Sequence, residues 1–389
     1  MKTNKTIWLL ALLSAFPPLS TDMYLPAIPL LQKTWDQPLS TINLTLVGFF
    51  ISYCICLLFY GPLSDRFGRR PPLLAGIGIY IVASLLCGVS GNVGWLILFR
   101  VFQAAGGAAA SAMALAISKD VYQGHERGKI LAYIGVIMAL APMVAPVIGG
   151  WVMIWLSWEY LFFIQAMIGM VAWAGVYRMP ETLEQVSAIS MVQTAGIYLA
   201  LLKNKRFIGF TLMMSLVVIP HFSFIGGSAD IYITRMGVSE QVFSYFFAMN
   251  AAAIMAGSFT FTRMIEKVSS EALMTLSFVG IFIGGLGMVL PWMQGPWGLG
   301  LPMAVISFSF GLSRPPSNNL VLEQVDRHGG AASALMVFIY FILGAFSMWL
   351  ISLDWTDKVF FIGGMGMVCG GSLTGLWLGF SKFAQKPSP

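Results

Sequence analysis

The stretch GPLSDRFGRRP, residues 61–71, is a short polar break between two long apolar segments of the chain. Its glycine and charged residues are the candidate functional residues of this break: Gly61, Asp65, Arg66, Gly68, Arg69 and Arg70. We expect Gly61 to let two helices approach closely and Gly68 to permit a tight turn. Asp65 is suited to cap or pair across a helix end, and the arginines to anchor the break at a membrane interface. A simple charged turn requires neither the aspartate nor both glycines at these offsets.

The composition around this break is that of an integral membrane protein. The chain has 389 residues, of which 58% are hydrophobic and only 10% are charged, and its mean hydropathy is +0.80. A soluble domain carries roughly a quarter of charged residues. The net charge of +6 does not indicate nucleic-acid binding, because the basic residues are distributed over short loops between apolar runs. We therefore expect contact with membrane lipid and no nucleic-acid partner.

The apolar runs predict an all-α protein with twelve transmembrane helices in two halves of six. A span needs about 20 apolar residues. The candidate spans have the approximate limits 7–31, 43–63, 72–91, 94–117, 130–154, 159–178, 207–232, 241–262, 272–292, 296–319, 331–352 and 358–380. The domains expected from this spacing are an N-terminal six-helix bundle, a cytoplasmic linker and a C-terminal six-helix bundle, over 1–178, 179–206 and 207–389.

The distribution of basic residues predicts the orientation in the membrane. With twelve spans, eighteen of the 22 Lys and Arg residues fall on the side of the N-terminus and three on the other side, and Arg100 lies within a span. Basic residues are enriched in cytoplasmic loops. Both termini are therefore expected in the cytoplasm.

Three strings resemble motifs of one family, the major facilitator superfamily. GPLSDRFGRRP is similar to the family's signature loop between helices 2 and 3. LILFRVFQAAGGAAAS, residues 96–111, resembles its helix-4 motif, with Arg100 at the motif's arginine and Ala104 where glycine is usual. ALAPMVAPVIGGWV, residues 139–152, resembles the helix-5 motif of the family's antiporters. The resemblance covers the whole chain and implies the major facilitator fold, with residues 61–71 acting in the conformational cycle.

Further strings narrow the resemblance to the bicyclomycin/chloramphenicol-resistance branch of drug:proton antiporters: STDMYLPAIP, WVMIWLSWEYLFF and SNNLVLEQVDRHGGAASAL. This implies efflux of amphipathic, drug-like small molecules in exchange for protons by alternating access. It also implies a monomer in the bacterial inner membrane, driven by the proton gradient without a cofactor. The alternative is a proton-coupled or facilitated importer or exporter of a small polar metabolite. No enzyme motif and no nucleotide-binding GxxxxGK[ST] loop is present in the sequence.

Two charges within the predicted spans, Asp22 and Arg100, are the candidate proton-coupling residues. At 1.5 Å per residue, Asp22 lies roughly 22 Å along the first span and Arg100 about 9 Å into the oppositely directed fourth. The two therefore lie at nearly the same depth, and in the resembled fold both helices line the central cavity. Either they form a static ion pair, or Asp22 exchanges protons as its distance from Arg100 changes.

The remaining candidates are predicted from residue type and position. The proline and glycine density of the antiporter motif favours a mobile or kinked helix, and its residues are Pro142, Pro146, Gly149 and Gly150. The candidate substrate-cavity residues are Tyr24, Phe49, Tyr53, His221, Asp230, Asn318 and Asn319. For His221 an inert, hydrogen-bonded position is an equal alternative, for Asp230 a solvated helix end is favoured, and for the asparagines interhelical hydrogen bonding is the alternative. No metal site is expected.

Overall fold

The chain is helical over nearly all of the residues that the computed structural model describes, which are 4–183, 191–290 and 295–384. No β-strand occurs in these ranges, and the predicted all-α class is confirmed. The chain divides into two compact units, Met1–Ala200 and Leu201–Pro389. Their boundary falls within the stretch predicted as a linker, 179–206, of which residues 184–190 lie outside the described ranges.

The N-terminal segment, predicted as one span over 7–31, is broken. It consists of α1 (Asn4–Ser14), α2 (Phe16–Thr21), a 3₁₀ turn (Leu25–Ala27) and α3 (Ile28–Trp35). Prolines occupy the first positions of α2, of the turn and of α3. Proline lacks the N–H that a helix interior needs and is favoured in a first turn. The expectation of a continuous first helix is wrong for this reason.

Long helices make up the rest of the first unit. After a short α4 (Leu39–Ile42) come α5 (Leu44–Phe67), α6 (Arg70–Gly88), α7 (Val93–Val121), α8 (Gly124–Trp155) and α9 (Glu159–Tyr177). The helix α10 (Met191–Lys203) then crosses the boundary between the units. The predicted spans from the second to the sixth lie on α5 to α9.

The second unit has the same mixture of long and interrupted helices. Its elements are α11 (Lys205–Ser215), α12 (Val218–Ala229) continued by a π-helix (Asp230–Arg235), α13 (Glu240–Met264), α14 (Ser270–Val289), α15 (Pro296–Leu322), α16 (Gly329–Ile351) and α17 (Lys358–Ala384). A bend of 42° separates α11 from the helix that follows it. In the described ranges, ten helices are long and apolar enough to cross a membrane, and the bent pair raises this number to eleven.

Close helix contacts in both units depend on glycine. A Cβ at Gly106 of α7 would lie 2.5 Å from the carbonyl oxygen of Gly76 on α6. In the second unit, a Cβ at Gly285 of α14 would lie 2.6 Å from the carbonyl oxygen of Gly363 on α17. Any larger residue would force these backbones apart, so the small-residue runs of α7 and α17 allow tight helix packing.

Candidate functional site

Arg100 is fully buried inside the first unit, at a point where the broken N-terminal segment meets α7. Its Nη1 donates hydrogen bonds to the carbonyl oxygen of Ser20, at 2.8 Å, and to Oε1 of Gln103, at 2.6 Å. Ser20 belongs to the last turn of α2, and the last carbonyl groups of a helix have no partner within it. The proline-induced break thus supplies the acceptor that a buried arginine requires.

A network of side-chain amides extends from Gln103, the second acceptor of Arg100. Nε2 of Gln103 donates to Oγ of Ser84, at 2.8 Å, and to Oε1 of Gln165, at 2.7 Å. Nε2 of Gln165 donates in turn to the carbonyl oxygen of Leu19, at 3.1 Å. The network joins α2, α6, α7 and α9. None of its amides was singled out from the sequence, since a glutamine in an apolar run has no characteristic spacing.

Aromatic rings enclose the rest of the guanidinium. Its central carbon lies 4.4 Å from the ring centroid of Phe49, 5.1 Å from that of Tyr24 and 5.8 Å from that of Phe162. These distances are in the range of cation–π interactions. Nε and Nη2 of Arg100 have no hydrogen-bond partner in the part of the chain that the structure describes. Arg100 is thus a buried cation with spare donors.

Tyr24, Phe49 and Tyr53 were predicted to line a substrate cavity. Tyr24 and Phe49 are buried around Arg100, and Tyr53 is buried in a stacked arrangement on Phe49, with ring centroids 6.2 Å apart. The hydroxyl groups of Tyr24 and Thr45 are hydrogen bonded at 3.2 Å. In this structure the three rings belong to the interior of the first unit.

Asp22 lies at the C-terminal end of α2 and is only 7% exposed. Its Oδ1 accepts a hydrogen bond of 2.9 Å from the Thr21 hydroxyl. Among the described residues, no Lys, Arg or His lies within ion-pair distance of it. The expected contact between Asp22 and Arg100 is therefore absent: Nη1 of Arg100 donates to the Ser20 carbonyl oxygen and to Gln103 instead, and Asp22 accepts from Thr21.

The antiporter motif contacts the broken segment directly. Its residues Pro142, Pro146, Gly149 and Gly150 lie within α8, which continues through both prolines without a break. A Cβ at Gly149 would overlap the carbonyl oxygen of Met23, the residue after Asp22. Glycine at this position allows α8 to lie against the backbone next to the carboxylate.

The loop between α5 and α6 is organised by Arg69, which is buried and not the interface anchor expected from the sequence. Its Nε donates to Oδ2 of Asp120 at 2.8 Å, and its Nη1 donates to Oγ of Ser64 at 2.7 Å and to Oδ1 of Asp65. Burial lowers the pKa of Arg69, but the hydrogen bonds and charges of the two aspartates outweigh it and raise that pKa. Arg69 therefore links the ends of α5 and α7 as a permanent cation.

Glu181 closes the same loop from beyond the end of α9. Its carboxylate accepts hydrogen bonds from four backbone N–H groups, those of Arg69, Arg70, Thr182 and Leu183. Partial burial raises the pKa of Glu181, but these N–H groups together hold it below its usual value. Gly68 has a φ of 90°, and a Cβ there would lie 2.5 Å from the Glu181 carboxylate.

The other candidates of the loop have smaller roles in this structure. A Cβ at Gly61 would meet no atom within 4 Å, so the predicted close helix approach is wrong at that position. Arg66 is exposed and lies over the ring of Phe67, at 5.4 Å. Nη2 of Arg70 donates to the carbonyl oxygen of Tyr177 at 2.5 Å.

With this geometry established, comparison with known proteins identifies the family. The model of the Major Facilitator Superfamily matches residues 10–348. This chain belongs to the major facilitator superfamily. The chain is 30% identical to a bicyclomycin resistance protein homolog of Haemophilus influenzae, over 86% of each chain. It is also 30% identical to a chloramphenicol resistance protein of Pseudomonas aeruginosa, over 87% of this chain and 80% of that one. The resemblance predicted from the sequence is confirmed.

The fold comparison agrees. The crystal structure of the nucleoside transporter NupG superimposes with a TM-score of 0.75, covering 97% of this chain and 99% of that one, at 14% identity. The major facilitator fold expected from the sequence is confirmed. The protein is a multi-pass membrane transporter of this superfamily and not an enzyme.

In the second unit of this major facilitator protein, Asp230 is buried in an ion pair. Its Oδ2 lies 2.8 Å from Nζ of Lys358, which is also buried, and 3.5 Å from Nε of Arg235. The solvated helix end expected for Asp230 is wrong, because the helix that begins at Lys358 covers it. The guanidinium of Arg235 also donates to the carbonyl oxygens of Trp355 and Thr356.

The remaining sequence candidates are distributed over two helices of the second unit. His221 lies on α12 and stacks on Phe310 of α15, with ring centroids 4.7 Å apart. Asn318 is half-buried on α15, and Asn319 beside it is exposed. Within the described ranges, no three His, Cys, Asp or Glu residues are grouped so as to hold a metal ion.

Proposed function

We propose that this protein exports small, drug-like molecules in exchange for protons. The proposal is supported by the similarity, over most of the chain, to relatives named for resistance to bicyclomycin and to chloramphenicol. The substrate is then a small amphipathic molecule, and the energy comes from the proton gradient without a bound cofactor. The bacterial inner membrane is the expected location, with both termini in the cytoplasm, and the transporter is expected to act as a monomer in contact with lipid.

The observation that carries the proton-coupling step is the buried, unpaired carboxyl group of Asp22. Its hydrogen-bond partner is the Thr21 hydroxyl, and the described residues provide no cation within ion-pair distance. An ionised carboxylate in such surroundings is costly, whereas the protonated form is stable. When water reaches Asp22, ionisation becomes favourable. A change in the hydration of this one side chain is therefore sufficient to load and release a proton.

Arg100 contributes a charge that does not titrate. The guanidinium remains protonated in proteins, so it favours the ionised form of any carboxyl group that approaches it. In the present structure the carbonyl oxygen of Ser20 binds the guanidinium in place of a carboxylate. Movement of the broken segment relative to α7 alters the distance between Asp22 and Arg100. We propose that this change in distance adds to the change in hydration and favours proton release further.

Transport into everted membrane vesicles tests the proposal. The probes are radiolabelled chloramphenicol and bicyclomycin, the compounds after which the relatives are named. Uptake of at least one is expected when a proton gradient is imposed, with no requirement for ATP. Asp22→Asn should abolish gradient-driven uptake, since the amide keeps the shape and cannot titrate. Asp36→Asn is the matched control, because Asp36 is exposed and asparagine tolerates its left-handed backbone.

Two results would count against the proposal. Uptake that persists after the gradient is dissipated would exclude proton antiport. In whole cells, a protonophore should raise the accumulation of an exported compound. A fall in accumulation would instead support the alternative of proton-coupled import.

A further inference from the structure

Arg314 is a cation within α15 that has no polar partner in the described part of the chain. Its guanidinium carbon lies 4.1 Å from the ring centroid of Tyr340 on α16 and 5.8 Å from that of Phe310, one turn away on its own helix. None of its nitrogens makes a hydrogen bond or an ion pair with a described residue. The side chain is half-buried, so solvation is incomplete.

His221 provides a second unused nitrogen beside the same aromatic residues. Its ring stacks on Phe310 at 4.7 Å, and the Arg314 guanidinium lies over that same Phe310 ring at 5.8 Å. The Nδ1 atom is buried and has no hydrogen-bond partner among the described residues. A buried imidazole nitrogen without a partner is costly, and native structures rarely leave one unsatisfied. Arg314 and His221 therefore bring two unpaired polar groups to one aromatic cluster within the second unit.

The helices that form this cluster supply no negative charge. The ranges of α12, α15 and α16 contain no Asp or Glu. Asp230, directly after α12, is already bound to Lys358 and Arg235. A partly buried guanidinium without a counter-ion is unfavourable, and stacking on rings offsets only part of that cost. The cluster thus has the positive charge, the donors and the apolar surface that an organic anion requires.

We propose that Arg314 and His221 form a binding site for the acidic group of an aromatic organic anion. The carboxylate accepts hydrogen bonds from the planar guanidinium, whose fork matches the two carboxylate oxygens. The aromatic body of the ligand packs against the rings of Phe310 and Tyr340. This assignment names a substrate class for the exporter and rests on the proposed function.

The depth of Arg314 favours a transported ligand over a lipid. Arg314 is eight residues from the last residue of α15, Leu322. At 1.5 Å per residue this places it about 12 Å from the helix end. Phospholipid head groups lie at the ends of membrane-spanning helices, outside the hydrocarbon core. A small acid that enters the protein interior reaches this depth more readily.

Binding of salicylate and of its neutral amide, salicylamide, to the purified full-length protein tests the assignment. The two probes share a ring and differ in the carboxylate. We expect the wild type to bind salicylate more tightly than salicylamide, and Arg314→Gln to weaken salicylate binding about tenfold to a hundredfold. Arg314→Lys keeps the charge and should lose less. Arg327→Gln is the matched control, because Arg327 is exposed in the loop after α15, and salicylate binding should not change.

Equal affinity of the wild type for the two probes would overturn the assignment, as would unchanged salicylate binding in a folded Arg314→Gln protein. A second arm repeats the measurement in nanodiscs with and without phosphatidylglycerol. If the anionic lipid abolishes salicylate binding, the group bound at Arg314 is a lipid phosphate and the proposal is overturned. Failure here is distinct from failure of the proposed function, which the vesicle assay measures with neutral chloramphenicol.

Discussion

The carbonyl oxygen of Ser20 accepts a hydrogen bond of 2.8 Å from the guanidinium of Arg100. The acceptor is available because α2 ends one residue later, at Thr21. A break in the helix and a buried charge are thus two parts of one arrangement. Asp22 follows Ser20, whose carbonyl binds the arginine, by only two residues. Its carboxyl group nevertheless forms no ion pair with Arg100.

The amide network that holds Arg100 should be necessary for its position. Gln165→Leu removes the donor to Leu19 and an acceptor from Gln103. Unsatisfied buried polar groups cost about 1–3 kcal/mol each, so we expect a lower melting temperature and reduced transport. Gln123→Leu is the control, since Gln123 is exposed. Wild-type transport and melting of the Gln165 variant would show that the network does not position Arg100.

The contact between α8 and the broken N-terminal segment predicts that Gly149 does not tolerate a larger side chain. Gly149→Ala places a methyl group on the carbonyl oxygen of Met23, and overpacking of this kind costs typically 1–3 kcal/mol. Gly135→Ala on the same helix meets no atom within 4 Å and is the matched control. We expect only the first variant to lose transport and thermal stability. Equal behaviour of the two would mean that α8 is free to move away.

The hydrogen bonds of Arg69 to Asp65 and Asp120 predict that substitution of Asp120, which is far from Arg69 in the sequence, destabilises the loop. Asp120→Asn removes one of the two charges that Arg69 contacts. Loss of a partner from a buried charge is strongly destabilising. Because Asp65 still pairs with Arg69, we expect the free energy of unfolding to fall by only about 1–3 kcal/mol. The measurement is transport and thermal unfolding, with Asp36→Asn as the exposed control. If Asp120→Asn leaves transport and stability unchanged, only the ion pair between Arg69 and Asp65 contributes to the loop.

The ionised carboxylate of Glu181 predicts a pH range in which the protection of the loop amides does not change. Its folded-state pKa lies below the usual value of 4.5, so the ionised carboxylate stabilises the loop above that pH. The contribution is lost as the pH falls through the lowered pKa. Hydrogen exchange of the amides of Arg69 and Arg70, corrected for intrinsic rates, should therefore show constant protection from about pH 5 to pH 8. Glu181→Gln should lower that protection throughout the range, and protection that declines already near pH 6 would contradict the assignment.

A double-mutant cycle tests the buried pair of Asp230 and Lys358. Asp230→Leu alone leaves Lys358 buried without its counter-charge, and Lys358→Met alone does the same to Asp230; breaking a buried pair in this way typically costs about 3–5 kcal/mol. Asp230→Leu combined with Lys358→Met removes both charges and should recover most of the stability. Thermal unfolding of the single and double variants measures the coupling. Independent, additive effects would mean that the pair contributes no specific interaction.

The apolar runs were sufficient to predict the class of the protein and most of its spans. They failed at the first span because hydropathy does not register the missing N–H of proline. Pro17, Pro18, Pro26 and Pro29 were visible in the sequence, and they lie in the first turns of α2, of the 3₁₀ turn and of α3. The break was therefore predictable from backbone chemistry, although not from composition.

The contacts of the charged residues were much harder to predict. Arg69 is 51 residues from Asp120 and 112 residues from Glu181, and no local pattern links them. Equal depth suggested a pair between Asp22 and Arg100. Depth along a helix does not specify the direction of a side chain, nor does it reveal that a backbone carbonyl will be free nearby. Such partners depend on tertiary packing.

Arg100 is also a charge on which a membrane potential acts. A guanidinium that never loses its proton is a fixed charge, and no carboxylate among the described residues neutralises it. An elementary charge that crosses the full membrane potential gains or loses about 2.3 kcal/mol per 100 mV. Any step of transport that shifts Arg100 through part of the electric field will therefore speed up or slow down with the membrane potential, even at a constant pH difference.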